Sequence, residues 1–114
     1  MLVQGMEELE RKFGFVPDFH DEKIESILIT ANRIEMVIET GEGPAWRQSG
    51  RKARIKLTFC GVKEFCLKGM MYGTVSIILD LLFCKKDECV EARLETSLGM
   101  EGFVLAKEIR IEEL

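Results

Sequence analysis

The sequence predicts a β-rich α+β domain: about seven strands in a curved, meander-like antiparallel sheet, with one helix at the N-terminus. Three observations carry this expectation. Apolar residues keep helical spacing only in the first stretch of the chain, and beyond Lys23 the period drops to two. The links between the alternating runs are also short, which favours antiparallel neighbours.

Met6, Leu9 and Phe13 share one face of a helix near Gly5 to Phe13, while Glu7, Glu8, Glu10, Arg11 and Lys12 fill the other positions. Gly14 and Pro17 end it, because glycine relaxes the last turn and proline has no amide to continue the ladder. Ile24 to Ala31 and Arg33 to Thr40 read as strands joined at Asn32, with Ile34, Met36 and Ile38 on one face. The stretch Gly41 to Arg51, with Gly43, Pro44, Ser49 and Gly50, reads as a loop. Next, Ala53, Ile55, Leu57 and Phe59 alternate with Lys52, Arg54, Lys56 and Thr58, so one face of this strand must be wet. A turn near Gly61 separates it from a shorter strand, Val62 to Lys68.

Thr74 to Cys84 is apolar at both parities, which predicts a central strand covered on both faces, with the N-terminal helix over it. Lys85-Lys86-Asp87-Glu88 turns the chain into Cys89 to Thr96, with Val90, Ala92 and Leu94 inward. Phe103, Leu105, Ile109 and Ile111 form the inner face of a last strand, Phe103 to Ile111, which reads as an edge protected by Lys107, Glu108, Arg110 and Glu112. With no repeat, linker or low-complexity segment, residues 1–114 are expected to form a single domain, present as a monomer or weak homodimer.

Composition narrows the function classes. Hydrophobic residues are 46% and charged residues 32%, the balance of an ordinary globular protein. The opening residues lack the basic end and apolar stretch of a signal peptide, and no apolar run approaches membrane-spanning length; the expectation is a cytoplasmic protein with no membrane partner. A net charge of -4 would repel a nucleic-acid backbone. The basic cluster Arg47, Arg51, Lys52, Arg54 and Lys56 has no interleaved aromatics and reads as solvated surface, so no nucleic-acid partner is expected.

The four cysteines lack the tight Cys-x-x-Cys spacing of a zinc site, so no metal or other cofactor is expected. Cys84 and Cys89 flank the predicted four-residue loop and would face each other; in a reducing compartment they stay thiols, and a redox-sensitive pair remains the alternative.

Chemistry-bearing residues concentrate in Phe13-Gly14-Phe15-Val16-Pro17-Asp18-Phe19-His20-Asp21, which holds the only histidine. His20 with Asp21 could be a general base and its orienting carboxylate, but neighbours on an extended segment point apart and no nucleophile spacing accompanies them. The simpler reading is structural: His20 donates to a backbone carbonyl, Asp21 accepts backbone amides, and Phe15 and Phe19 plug the edge of the core. No residue is expected to be catalytic. Candidate interface residues are Trp46 and Arg47, with Met70, Met71 and Tyr72 as a second group, because interfaces draw their affinity from such anchors.

Phe13-Gly14, Pro17-Asp18-Phe19-His20-Asp21 and Ile24 resemble the opening signature of the immunity protein 50 family, with Asp18 and Glu22 standing where that pattern has Ser and Ala. Phe59-Cys60-Gly61-Val62, then Phe65, Leu67 and Gly69, is similar to that family's middle hairpin, and Gly99 to Ile111 resembles its closing strands. The resemblance implies a non-enzymatic antidote that would bind and neutralise a cognate toxin domain of a bacterial polymorphic toxin system. It supplies no catalytic residues, and it leaves Phe19, His20 and Asp21 as motif positions with a structural role. An uncharacterised small-ligand or protein-binding module is the alternative.

Overall fold

The computed structural model describes residues 2–69, 76–97 and 99–114. Among them the elements run β1 (Val3–Gln4), α1 (Met6–Phe13), β2 (Lys23–Ile29), β3 (Arg33–Glu39), α2 (Pro44–Ser49), β4 (Arg54–Lys68), β5 (Ser76–Lys86), β6 (Cys89–Thr96) and β7 (Glu101–Glu113). The β-rich α+β class and the N-terminal helix are those the sequence predicts. Among the described residues no helix is long and apolar enough to cross a membrane.

The sheet consists of two three-stranded meanders, β2-β3-β4 and β5-β6-β7, joined at both ends. β4 pairs with β7 from Ile55↔Glu113 to Lys68↔Glu101, and β2 meets β5 through only Lys23↔Ile77 and Ile24↔Ser76. Since β6 pairs with both β5 and β7, the ladder closes on itself, and closure removes the exposed edges that an open sheet would present. β1 adds a parallel partner beside β7 at Val3↔Ile109, making the sheet mixed.

The expected strand count of about seven holds, but through two compensating differences. The two strands expected either side of Gly61 are one continuous β4, and β1 adds a strand that two residues were too short to announce. Gly61 (φ 63) does mark a discontinuity, because the inward parity changes there on both paired strands. Ile55, Leu57 and Phe59 are buried before it, and Val62 packs on the core after it; on β7, Val104 and Ala106 are buried on one side of Lys107, Ile109 and Ile111 on the other. Phe103 and Leu105 therefore face outward, contrary to a single alternation through Phe103–Ile111. Nor is β7 an edge strand, since β4 lies along one side and β6 and β1 along the other.

The expected central strand at residues 74–84 is also corrected. β5 has an outward face with Leu79 and Leu82 exposed, and α1 packs against β7 rather than over β5. Leu9 is buried in the core, while Met6 and Phe13 pack against it. Gly5 permits that docking: a Cβ there would lie 1.9 Å from the Ile111 carbonyl oxygen, and its φ of 100 is costly for any other residue.

Candidate functional site

The segment carrying the only histidine crosses the narrowest join of the closed sheet. Asp18 Oδ1 accepts the His20 amide at 3.2 Å, and Glu22 N–H donates to the Phe19 carbonyl at 3.1 Å, which folds Phe19–Glu22 into a tight turn. Asp21 takes a left-handed conformation (φ 68), one that aspartate tolerates better than most side chains. From this turn the backbone extends the short β2–β5 seam: Asp21 N–H donates to Ile78 O, and Ile78 N–H donates to Glu22 O, both at 2.8 Å. Phe19 is buried in the core beneath.

His20 fastens the same join from outside. Its Nδ1–H donates to the Leu79 carbonyl at 2.6 Å, as the structural reading of the sequence expects. That carbonyl is free because Leu79 is a bulge: Ile78 pairs with Thr96 and Asp80 with Glu95, so Leu79 has no partner on β6. The half-exposed imidazole is raised above its usual 6.5, first by the bond to Leu79 and then by the Asp21 carboxylate, with Asp18 and Asp80 adding to it against a small loss of hydration. Asp21 Oδ1 lies 3.6 Å from Nε2, close enough for attraction but beyond a hydrogen bond. The expectation that neighbouring side chains point apart fails here, because Asp21 is not extended.

The amide-accepting role expected for Asp21 belongs instead to Glu22. Its side chain is completely buried, with Oε1 accepting from the amides of Glu42 (2.8 Å) and Gly43 (2.7 Å) and Oε2 accepting from Gly41 (3.0 Å). Three backbone donors offset the cost of burying a carboxylate and fix the loop that leads into α2. Gly43 is needed at this contact, since a Cβ would fall 2.7 Å from the His20 carbonyl oxygen. One turn thus ties β5 through His20 and the 41–43 loop through Glu22.

The loop expected at residues 41–51 contains a helix of six residues, with Pro44 in its first turn and Gly50 (φ 71) closing it. Trp46, a candidate interface anchor in the sequence, is 1% exposed and so is not available to a partner. Its ring packs edge-on against Phe13 and Phe15, each at 4.9 Å between centroids, and joins α2 to the end of α1. Its Nε1 is buried without a hydrogen-bond partner. Arg47 remains exposed and pairs with Glu42 at 3.1 Å, holding the Glu42 carboxyl below its usual range. Met70, Met71 and Tyr72 lie outside the described residues.

Three more of the five clustered basic residues are engaged. Arg54 grips Glu25 with two bonds of 2.7 and 2.9 Å, Lys56 faces Glu112 at 3.4 Å, and Arg51 donates to the Lys12 carbonyl at 2.8 Å. All four cysteines are free thiols. Cys84 and Cys89 do not face each other: the turn is Asp87-Glu88 alone, so Cys84 pairs with Glu91 and Cys89 with Lys86. Among the described residues no group of three or more His, Cys, Asp or Glu side chains could hold a metal ion.

Two surface depressions are notable, one of them adjoining the turn. One, of about 650 Å³, lies between Asp21, Lys23 and Ile77 and the α2 residues Pro44 and Arg47. The other, of about 350 Å³, runs over the outer face of β5, β6, β7 and the end of β4, with Leu82 and Phe103 in its lining. Chemically, His20 Nδ1, the Asp21 amide and the Glu22 carboxylate make a clasp turned to carbonyls and amides of the chain itself, while the Asp21 carboxylate stays half-exposed beside Nε2.

No protein-family model and no curated protein matches the chain. Its fold is similar to that of an uncharacterized protein from Neisseria gonorrhoeae whose crystal structure is solved; the TM-score is 0.60 at 15% identity, over 85% of this chain and 95% of that one. At that identity the likeness concerns the fold alone.

Proposed function

We propose that this chain is a non-enzymatic immunity-type protein of the cytoplasm that binds a cognate bacterial toxin domain and neutralises it by occupying its surface. Beside the sequence resemblance, one observation carries the reading: Nδ1 of His20 and the carboxylate of the adjoining Glu22 are spent inside the fold. His20 is held at 2.6 Å by the Leu79 carbonyl, and the Glu22 carboxylate accepts three amides. The other ring nitrogen, Nε2, faces the Asp21 carboxylate at 3.6 Å, and a clasp accounts for the bonds found here, with no nucleophile spacing in the sequence to set beside it. Binding is then left to the outer surface, with a protein partner and neither nucleic acid nor membrane. The chain acts as a monomer or weak dimer.

A second reading, a small-ligand or protein-binding module, is favoured by the depression of about 650 Å³ between Lys23, Glu42 and Arg47, which offers charges of both signs to a zwitterion. Co-expression with the product of the adjacent open reading frame separates the two. The immunity reading expects restored growth and a co-purifying complex; no rescue and no complex would discard it, and saturable small-molecule binding in the depression would install the second.

A further inference from the structure

The outer face of β5, β6, β7 and β4 carries two side-chain rows that cross the strands in register. Asp80 pairs with Glu95, Glu95 with Glu101, and Glu101 with Lys68. One step along, Leu82 pairs with Arg93, Arg93 with Phe103, and Phe103 with Cys66. Together they line the depression of about 350 Å³, where Leu82 is 52% exposed. The floor is therefore apolar apart from Arg93, and one wall is a line of three carboxylates that ends at Lys68.

That wall is unusual for a solvated sheet. Like charges directly opposite one another on neighbouring strands destabilise a sheet, and here two successive pairs are acidic. Several other carboxylates on the strands and loops have cations: Glu25 has Arg54, Glu42 has Arg47, Glu112 has Lys56, and Glu91 has both Lys86 and Arg93. Among the described residues Asp80, Glu95 and Glu101 make no ion pair: Lys68, opposite Glu101, is not within salt-bridge distance, and the Nε of Arg93 is held at 2.6 Å by Glu91. Repulsion stored over an exposed leucine and a partly buried phenylalanine disfavours folding and favours a complementary partner.

We propose that this groove is the docking surface for a basic segment of a partner protein, whose Lys or Arg side chains meet Asp80, Glu95 and Glu101 while an apolar side chain lies on Leu82 and Phe103. It rests on the protein-binding reading above and gives the partner its chemistry: the toxin surface that the chain covers is cationic. A metal ion is a poorer occupant, because no metal-holding group forms here among the described residues.

The test uses two probes. In low salt, the peptide acetyl-Lys-Leu-Arg-Leu-Lys-amide and a control with Glu at its three basic positions are titrated into the isotope-labelled protein. The basic peptide is expected to shift amides at positions 80–82, 93–95 and 101–103, weakening at least tenfold in 0.5 M salt; the acidic one is expected to shift none. The variant Asp80→Asn/Glu95→Gln/Glu101→Gln is expected to melt higher than wild type yet bind at least tenfold more weakly, a combination that a purely structural role does not produce. Leu82→Arg, at an exposed position, keeps the fold and also loses binding. Equal binding of both peptides, shifts elsewhere, or an unaffected triple variant overturns the proposal. The product of the adjacent open reading frame, where it is toxic, is the second probe: if it binds wild type and the triple variant alike, the groove is refuted and the immunity reading stands. If only the peptide binds, the immunity reading falls and the groove stands.

Discussion

Replacing Glu22 with glutamine isolates what the buried carboxylate does, because shape is kept and only charge and one acceptor are lost. The amide oxygen can still accept from Glu42 and Gly43, but the new NH2 must face the Gly41 N–H, donor against donor. Two charge-assisted bonds falling to neutral strength cost about 1 kcal/mol each, and a buried amide left without an acceptor costs about 1–2 kcal/mol more, for a total of about 3–4 kcal/mol. At roughly 4 °C per kcal/mol for a domain of this size, the melting temperature should fall by about 12–16 °C. Glu22→Ala removes the anchor altogether and frees the loop before α2, so acrylamide should quench Trp46 faster in protein that is still folded by circular dichroism. A loss below about 1 kcal/mol for the glutamine variant, or unchanged quenching in the alanine variant, would refute the claim that Glu22 holds this loop.

Other substitutions probe the remaining joints. Because the folded-state pKa of His20 is raised above 6.5, its contribution to stability is fully present below the unfolded value and is lost as pH rises through the raised one. The melting-temperature gap between wild type and His20→Gln should therefore be wide in mildly acidic buffer and narrow in mildly alkaline buffer, and an NMR titration should place the imidazole above its ordinary value. A gap that widens with pH contradicts this. Trp46→Phe keeps an aromatic ring between Phe13 and Phe15 and deletes an N–H that has no partner, so urea unfolding should find it within about 1 kcal/mol of wild type. Trp46→Ala should lose about 3–5 kcal/mol. Mild oxidation should leave four titratable thiols with Cys84 alkylated first, since the hairpin register sets Cys84 and Cys89 diagonally apart; a bridged peptide in mass spectrometry would disprove that register.

Strand alternation made most of the fold readable. The inward sets Ile34, Met36, Ile38 and Ile55, Leu57, Phe59 and Val90, Ala92, Leu94 are all buried as the period of two requires. Legibility ends where a residue breaks the count. The bulge at Leu79 and the face exchange at Gly61 and Lys107 each shift the parity by one, so an unbroken alternation puts Phe103 and Leu105 on the wrong face and makes β5 look covered on both sides. Closure through two residue pairs of β2 and β5 is non-local and leaves no local pattern in the sequence.

The site followed the same rule. A carbonyl partner for His20 was foreseeable from its chemistry, but Glu22 was hidden because its three partners lie in the 41–43 loop, and an acidic residue next to Asp21 reads as solvated. The signals that could have found it were local: Gly41 and Gly43 flanking Glu42 announce amides able to converge on an anion, and Pro44 with Gly50 brackets a short helix where a loop was expected.

Neutralisation by occupancy has a stoichiometry, and measuring it tests the central claim most directly. Residual activity of a toxin captured by this protein through the adjacent open reading frame, followed against increasing molar ratio, should fall linearly to a break at one to one and should not drift with time once mixed. Continued loss of toxin activity at substoichiometric ratios, proceeding with time and abolished in His20→Gln of unchanged melting temperature, would show turnover at the imidazole and contradict the account.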